Sequence, residues 1–225
     1  MYVYLSYPLQ EGMVGFPSTP VYWVGKHDII GVDGAAFNTS IMTIPNHYGT
    51  HCDGPRHFNP VGEKLVELPP EYFIFKGDDI LVLDIPKTFK EVLTPEDVKP
   101  YEEQLKKAKL LLIRTGFEKE RDANPKGYKY ENPSATPEFC KYLVENFPDL
   151  RSFGFDSLSL ASACNNYGVE AHHWLLGCYT KHFITCIEDM KLSPLEGKKV
   201  KSIVVAPIRA IEIDSAPVTV IAEVE

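Results

Sequence analysis

Three of the chain's seven histidines fall within eleven residues, in the run His47-Tyr48-Gly49-Thr50-His51-Cys52-Asp53-Gly54-Pro55-Arg56-His57. Imidazole and carboxylate are the donors preferred by zinc and neighbouring first-row metals, so a fold that gathers these side chains makes a metal site. His51 and Asp53 are two residues apart, and an extended backbone turns both to one face while Cys52 points away. Cys52 is therefore not expected to be a ligand, and a Cys52–His57 nucleophile–base pair is disfavoured for the same reason. Gly49 argues against one continuous helix from His47 to His51. A turn through Tyr48-Gly49 would bring both imidazoles to a single ion. Gly54 and Pro55 end the segment and hold His57 at a fixed offset.

The rest of the chain predicts an α/β protein. Ile80–Ile85 (ILVLDI), Leu110–Arg114 (LLLIR), Ile203–Ala206 (IVVA) and Val218–Val224 (VTVIAEV) are short apolar or β-branched runs that read as strands. Thr94-Pro95-Glu96-Asp97 opens a helix that carries Val98, Tyr101, Leu105 and Ala108. Thr136-Pro137-Glu138 opens another, with Phe139, Leu143, Val144 and Phe147 on one face. A third helix is expected over Ala171–Leu176. The polar stretch Lys119–Ser134, rich in turn formers, reads as a long surface loop.

Composition excludes several functions. The formal charge is −8, and the lysine-rich pieces are short, so no nucleic-acid partner is expected. No apolar run approaches the ~20 residues of a membrane span. The first ten residues lack a basic region followed by an apolar core, so no signal peptide is expected. Five scattered cysteines without a CxxC pair fit reduced thiols and a cytoplasmic location. No G-x-S-x-G nucleophile signature occurs. A single domain spanning 1–225 is expected.

The stretch HYGTHCDGPRHF resembles the HxGTHxDxPxH signature of the cyclase family of metal-dependent hydrolases, which includes bacterial kynurenine formamidases and isatin hydrolases. His47, Gly49, Thr50, His51, Asp53, Pro55 and His57 match all seven specified positions. The likeness extends to Leu111–Gly116 (LLIRTG), Phe153–Ser157 (FGFDS) and Ala206–Ala222 (APIRAIEIDSAPVTVIA). It implies a compact fold with a mixed, barrel-like sheet flanked by helices. It also implies that His47 and His51 ligate one metal, that Asp53 bridges to a second, and that His57 is the general acid/base.

The family's AHxxLL segment reads Ala171-His172-His173-Trp174-Leu175-Leu176 here, which makes His172 a ligand of the second ion. Glu188 is the best match to the family's bridging glutamate, although the interval after His172 is longer than usual. Glu170 is the fallback. The cofactor implied is a divalent metal, zinc or manganese, with two ions per chain. Trp23, beside Phe16 and Tyr22, is a candidate wall of the substrate pocket. Thr50 is a candidate to orient a neighbouring ligand.

A divalent cation brings the pKa of bound water towards ~7, which supplies a metal-bound hydroxide, and His57 would hand a proton to the departing amine. The activity implied is hydrolysis of a C–N amide bond in a small, possibly aromatic substrate, as in arylformamidases. The alternatives are a cyclic-amide (isatin-type) hydrolase, a dehydratase or cyclase using the same site, and a non-catalytic protein stapled by metal. A homodimer or tetramer acting on a small molecule is expected.

Overall fold

The computed structural model describes residues 1–225. In chain order the strands are β1 (Tyr2–Tyr4), β2 (Trp23–Asp28), β3 (Thr39–Thr43), β4 (His51–Asp53), β5 (Ile74–Lys76), β6 (Ile80–Asp84), β7 (Val92–Leu93), β8 (Leu110–Arg114), β9 (Ser134–Ala135), β10 (Ser152–Phe155), β11 (Thr185–Glu188), β12 (Val200–Pro207) and β13 (Ala216–Val224). The α-helices are α1 (Pro95–Val98), α2 (Glu102–Leu105), α3 (Glu120–Ala123), α4 (Pro125–Tyr130), α5 (Pro137–Asn146) and α6 (Gly168–Leu175).

Nine strands form one mixed sheet in the order β5-β12-β13-β4-β11-β10-β8-β6, with β1 added on β13. β6, β8, β10 and β11 run parallel, and the remaining pairings are antiparallel. Parallel neighbours need crossover connections, and the helices α1–α2, α5 and α6 fall in them. The sheet curls until β12 comes back against β6, giving a nearly closed barrel flanked by helices. This is the α/β class expected from the sequence pattern and the barrel-like sheet implied by the family resemblance.

Alternation along each strand decides what lies on either side. On β8, Leu110 and Leu112 point into the curled sheet with Phe75, Ile187, Ile203 and Val220. Leu111 and Ile113 point outward, under Phe139 and Leu143 of α5 and Ala171 and Leu175 of α6. Both faces are covered, which is why LLLIR is continuously apolar. Each fully buried leucine contributes roughly 1.5–3 kcal/mol of transfer free energy.

α5 begins as expected, with Thr136 Oγ1 accepting from the Phe139 amide at 3.2 Å. The helix predicted from Thr94 is broken instead. α1 stops at Val98, a 3-10 turn covers Lys99–Tyr101, and α2 follows. Pro100 lies in that turn, lacks an amide donor and clashes with the preceding turn, so the helix cannot run through.

The expected surface loop Lys119–Ser134 is also corrected. It folds largely into α3 and α4, and it buries Arg121 and Tyr128. Asn124 caps α4 by accepting from Gly127 N at 3.0 Å, with Pro125 at the first helical position.

β2 and β3 form a separate two-stranded hairpin whose β3 residues are all exposed. No helix is long and apolar enough to cross a membrane.

Candidate metal centre

The site is built where β4 meets the end of β11. Their antiparallel register sets His51 opposite Glu188, Cys52 opposite Ile187 and Asp53 opposite Cys186. Strand alternation then sends Cys52 and Ile187 into the barrel core, and His51, Asp53 and Glu188 to the helical side. Cys52 is therefore turned away, as its position between the two donors implied. Glu188 is the last residue of β11, at the carboxyl end of the parallel strands, where ligand sites of α/β sheets collect. The turn after α6, through Gly177–Phe183, absorbs the long interval from His172 and leaves Glu188 in this place.

His47 returns to its neighbours through Gly49, whose φ is +65°. That backbone conformation is one L side chains rarely adopt, so it favours glycine, and a Cβ there would also have to displace the end of the Leu9 side chain, 2.9 Å away. The turn brings the His47 and His51 rings to 5.2 Å between centroids. α6 delivers His172 over the same face, with its ring stacked on Phe58 at 4.6 Å.

The donor atoms converge. His51 Nε2 lies 3.2 Å from Glu188 Oε2 and 3.5 Å from Asp53 Oδ1. His172 Nε2 lies 3.5 Å from Asp53 Oδ2 and 3.7 Å from Glu188 Oε1. His47 Nδ1 lies 2.9 Å from Asp53 Oδ1. His51 and His172 each donate Nδ1–H to a main-chain carbonyl, of Gly49 at 2.9 Å and Gly168 at 2.6 Å, which leaves both Nε2 atoms free for a cation.

Asp53 Oδ1 is buried and has no aligned hydrogen-bond donor, despite the nearness of His47. A buried carboxylate oxygen left in this state costs free energy unless something positive completes it. The donor set and this orphaned oxygen fit a divalent cation. Two groups can be drawn, His51–Asp53–Glu188 and His47–Asp53–His57, and Asp53 belongs to both.

Without a cation, the imidazoles themselves offset the carboxylate charge. Burial works against charge on every member, yet mutual attraction prevails. Hydrogen bonding to Asp214 and the Asp53 carboxylate lifts His47 to about 10 against desolvation. Asp53 and Glu188 lift His172 likewise to about 10. Burial and the Asp53 charge push Glu188 up, but His172 and His51 hold it at about 2. Asp53 is held well below the usual carboxylate range by His172, His47 and His51, again against burial.

Other expected residues fall differently. Trp23 does not line the cavity beside these donors. It sits on the β2–β3 hairpin, 50% exposed, with its indole across Gly25 of the same strand. Phe16, from the same segment, does line the cavity. Thr50 orients no imidazole. Its hydroxyl donates to the Asp189 carbonyl at 2.6 Å and accepts from Tyr7 N at 3.0 Å, tying β4 to the residue after Glu188. Glu170 is bound to Tyr179, outside the cavity. His27 pairs with Asp28 on the exposed hairpin, and His182 lies in the turn after α6.

Three residues that touch the site, Asp214, Ser159 and Leu160, are not singled out by the sequence. Asp214 Oδ2 lies 2.9 Å from His57 Nδ1 and 3.1 Å from His47 Nε2. Ser159 Oγ and Leu160 N donate to Glu188 Oε1 at 3.0 and 2.5 Å. The acid before the Ser-Ala-Pro start of β13 was visible, but nothing local to it points to His57, 157 positions away.

The donors open onto a cavity of about 610 Å³, whose walls include Phe16, Asn46, Phe58, Ser162, Asn165 and Val169. A closed structural site would leave no such approach, so the arrangement suits chemistry on a bound molecule.

Comparison with known proteins agrees with the fold. The family model named Cyclase, described as "Putative cyclase", matches residues 3–162. An uncharacterized protein of Haemophilus influenzae (strain Rd) is 42% identical over 118 residues, 52% of this chain and 82% of that protein. A kynurenine formamidase of Bacillus cereus is 23% identical over 223 residues, 95% of this chain and 93% of the relative. In the solved structure of isatin hydrolase A from Labrenzia aggregata, bound to benzyl benzoate, the same fold recurs. The TM-score is 0.80 at 22% identity, over 99% of this chain and 93% of that one. With a family match over most of its length and the histidine–aspartate motif assembled in space, this chain belongs to the Cyclase family.

Proposed function

We propose that this chain is a metal-dependent hydrolase that cleaves the C–N bond of a small amide, in the manner of an arylformamidase. The observation that carries the reading is the buried, orphaned Asp53 oxygen among His47, His51, His172 and Glu188, at the floor of an open cavity. The kinship with a kynurenine formamidase over nearly the whole chain supports an amide substrate.

In place of the expected pairing of His47 and His51 on one ion with His172 on the other, His51, His172, Asp53 and Glu188 would hold one cation, and His47 with Asp53 would face a second. When bound, a divalent cation acidifies water towards a pKa of ~7 and polarises a carbonyl. The protein's own residues supply the rest. Asp53 and Glu188 would provide the negative charge to hold the cations, and Gly49 O and Gly168 O fix the His51 and His172 imidazoles. His57 lines the cavity and would hand a proton to the departing amine nitrogen, which leaves poorly as an anion. Phe16 and Phe58 offer apolar wall to a substrate ring.

One observation favours a second arrangement of the same site. His57 shares a ligand-sized cluster with His47 and Asp53, which would make it a ligand of the second ion.

All five cysteines are unpaired thiols, and three are buried, which supports a reducing, cytoplasmic setting. The exposed apolar residues of the β2–β3 hairpin, Trp23, Ile41 and Met42 among them, support self-association into a dimer or tetramer.

The test is elemental analysis of the purified protein beside His51→Ala, His172→Ala and His57→Ala, followed by assay of N-formyl aromatic amines and cyclic amides. Metal lost in the first two variants and kept in the third, with activity lost in all three, is expected. Metal lost with His57→Ala would establish the second arrangement. A wild type that binds neither zinc nor manganese would overturn the reading.

A further inference from the structure

We infer that Asp214 is the positioning residue for His57, fixing the tautomer and ring orientation in which that imidazole exchanges a proton with substrate. The inference rests on the amide-cleaving reading only for what the proton transfer accomplishes.

The geometry around Asp214 is fully determined. Oδ2 meets His57 Nδ1 at 2.9 Å and His47 Nε2 at 3.1 Å, and Ser215 Oγ donates to it at 3.2 Å. Oδ1 accepts from Asn46 Nδ2 at 2.7 Å. With both oxygens engaged, the carboxylate cannot swing without losing several partners.

Asp214 Oδ2 is hydrogen-bonded to His47 Nε2 and stands 2.9 Å from His57 Nδ1 in a contact less well aligned than a hydrogen bond; an ionised carboxylate only accepts, so its charge favours the proton of the neutral His57 ring on Nδ1. The neutral ring then carries its lone pair on Nε2, the atom left to a molecule in the cavity that His57 lines. A carboxylate behind an imidazole does the same in acid–base dyads generally. It selects the tautomer and steadies the imidazolium that forms in the transition state.

The main chain is built to hold Asp214 there. β13 pairs with β4, Ala216 opposite Cys52 and Pro217 opposite His51, and the same register brings Asp214 opposite Gly54. A Cβ on Gly54 would lie 2.7 Å from the Asp214 carbonyl oxygen, so any other residue there would push the strand away. Gly54 N also donates to Ser215 Oγ at 3.3 Å. The glycine of the His-Cys-Asp-Gly-Pro run thus lets the hairpin residue approach the histidine three positions further on.

Because His47 shares the same oxygen, Asp214 touches both the proposed acid/base and a proposed ligand. Asp214→Asn separates these duties, since it keeps the shape but replaces an acceptor with an amide. Two readouts apply to the zinc-loaded protein. The first is 15N NMR of the imidazoles, with His57 assigned by comparison with His57→Asn. The wild type should show the Nδ1–H tautomer at His57, and Asp214→Asn should show Nε2–H or a mixture. The second is turnover. kcat should fall at least ~10-fold, within the ~10²–10⁴-fold worth of general acid–base catalysis. KM should stay within about twofold and zinc content should not change. Asp214→Glu should restore part of kcat.

An unaltered His57 tautomer in Asp214→Asn overturns the proposal. So does a loss of activity that only follows loss of zinc, which would make Asp214 a support for His47 alone. If the wild type turns over neither formamides nor cyclic amides, the amide reading falls, while the tautomer comparison still decides the role of Asp214.

Discussion

Removing Arg121 should cost this protein far more stability than one residue of a helix four residues long suggests. Its guanidinium is 8% exposed and grips Asp189, 1% exposed, through Nε–Oδ1 and Nη2–Oδ2 contacts of 2.9 Å each. It also lies over the Tyr7 ring at 4.1 Å. Burial pushes the Asp189 carboxyl up, while the same carboxylate helps hold Arg121 in its charged form. Desolvation and attraction therefore oppose each other, and the net worth of the intact pair is small. Removing one partner leaves an uncompensated buried charge, which costs about 3–5 kcal/mol. The Tyr128 hydroxyl, still donating to Asp189 at 2.8 Å, moves the expectation for Arg121→Met toward the lower end. For a chain of this length such a loss lowers Tm by roughly 6–20 °C.

Asp189 follows Glu188, takes φ +51° and accepts the Thr50 hydroxyl on its carbonyl, so the same variant should also weaken zinc binding. Urea unfolding of Arg121→Met, Asp189→Asn and the double variant measures the coupling. A single-variant loss below about 1 kcal/mol, the range of exposed pairs, would refute the assignment of a desolvated pair.

Metal binding should release protons. In the metal-free protein His47 and His172 are lifted from 6.5 to about 10, so their stabilisation is complete below about pH 6.5 and is lost as pH rises through 10. A cation needs neutral imidazole, so zinc affinity should rise with pH. Calorimetric titration in buffers of different ionisation enthalpy reads the proton count, and zero release at pH 7 would contradict the assignment. Cys52→Ala should keep kcat within about twofold, since the thiol lies in the barrel core on the opposite face. Its unfolding free energy should drop by about 1 kcal/mol, and a loss of turnover with zinc content intact would restore Cys52 as a nucleophile.

Much of the site was legible because its information is local. The two-residue spacing of His51 and Asp53 fixes their common face wherever the strand lies, and it fixes Cys52 on the other. The apolar run of β8 and the Thr-Pro-Glu opening of α5 rest equally on near neighbours. The helices α3 and α4 of Lys119–Ser134 are hidden locally, although Asn124-Pro125 is itself a cap signal, because the surrounding glycine, proline and charges read as a loop. Burial of Arg121 and Tyr128 against Asp189 outweighs that local preference.

Some features are decided only in three dimensions. The register of β4 against β11 sets Glu188 opposite His51 across 137 positions of chain, and that of β13 against β4 brings Asp214 to His57. Trp23, plausible as a pocket wall from its segment, projects on a separate hairpin instead. The sequence by itself determined the donor types and the face each would present, since these follow from backbone periodicity. Tertiary structure alone decided which donors meet and which carboxylate stands behind the acid/base, because strand pairing is a choice among distant partners that no local preference encodes.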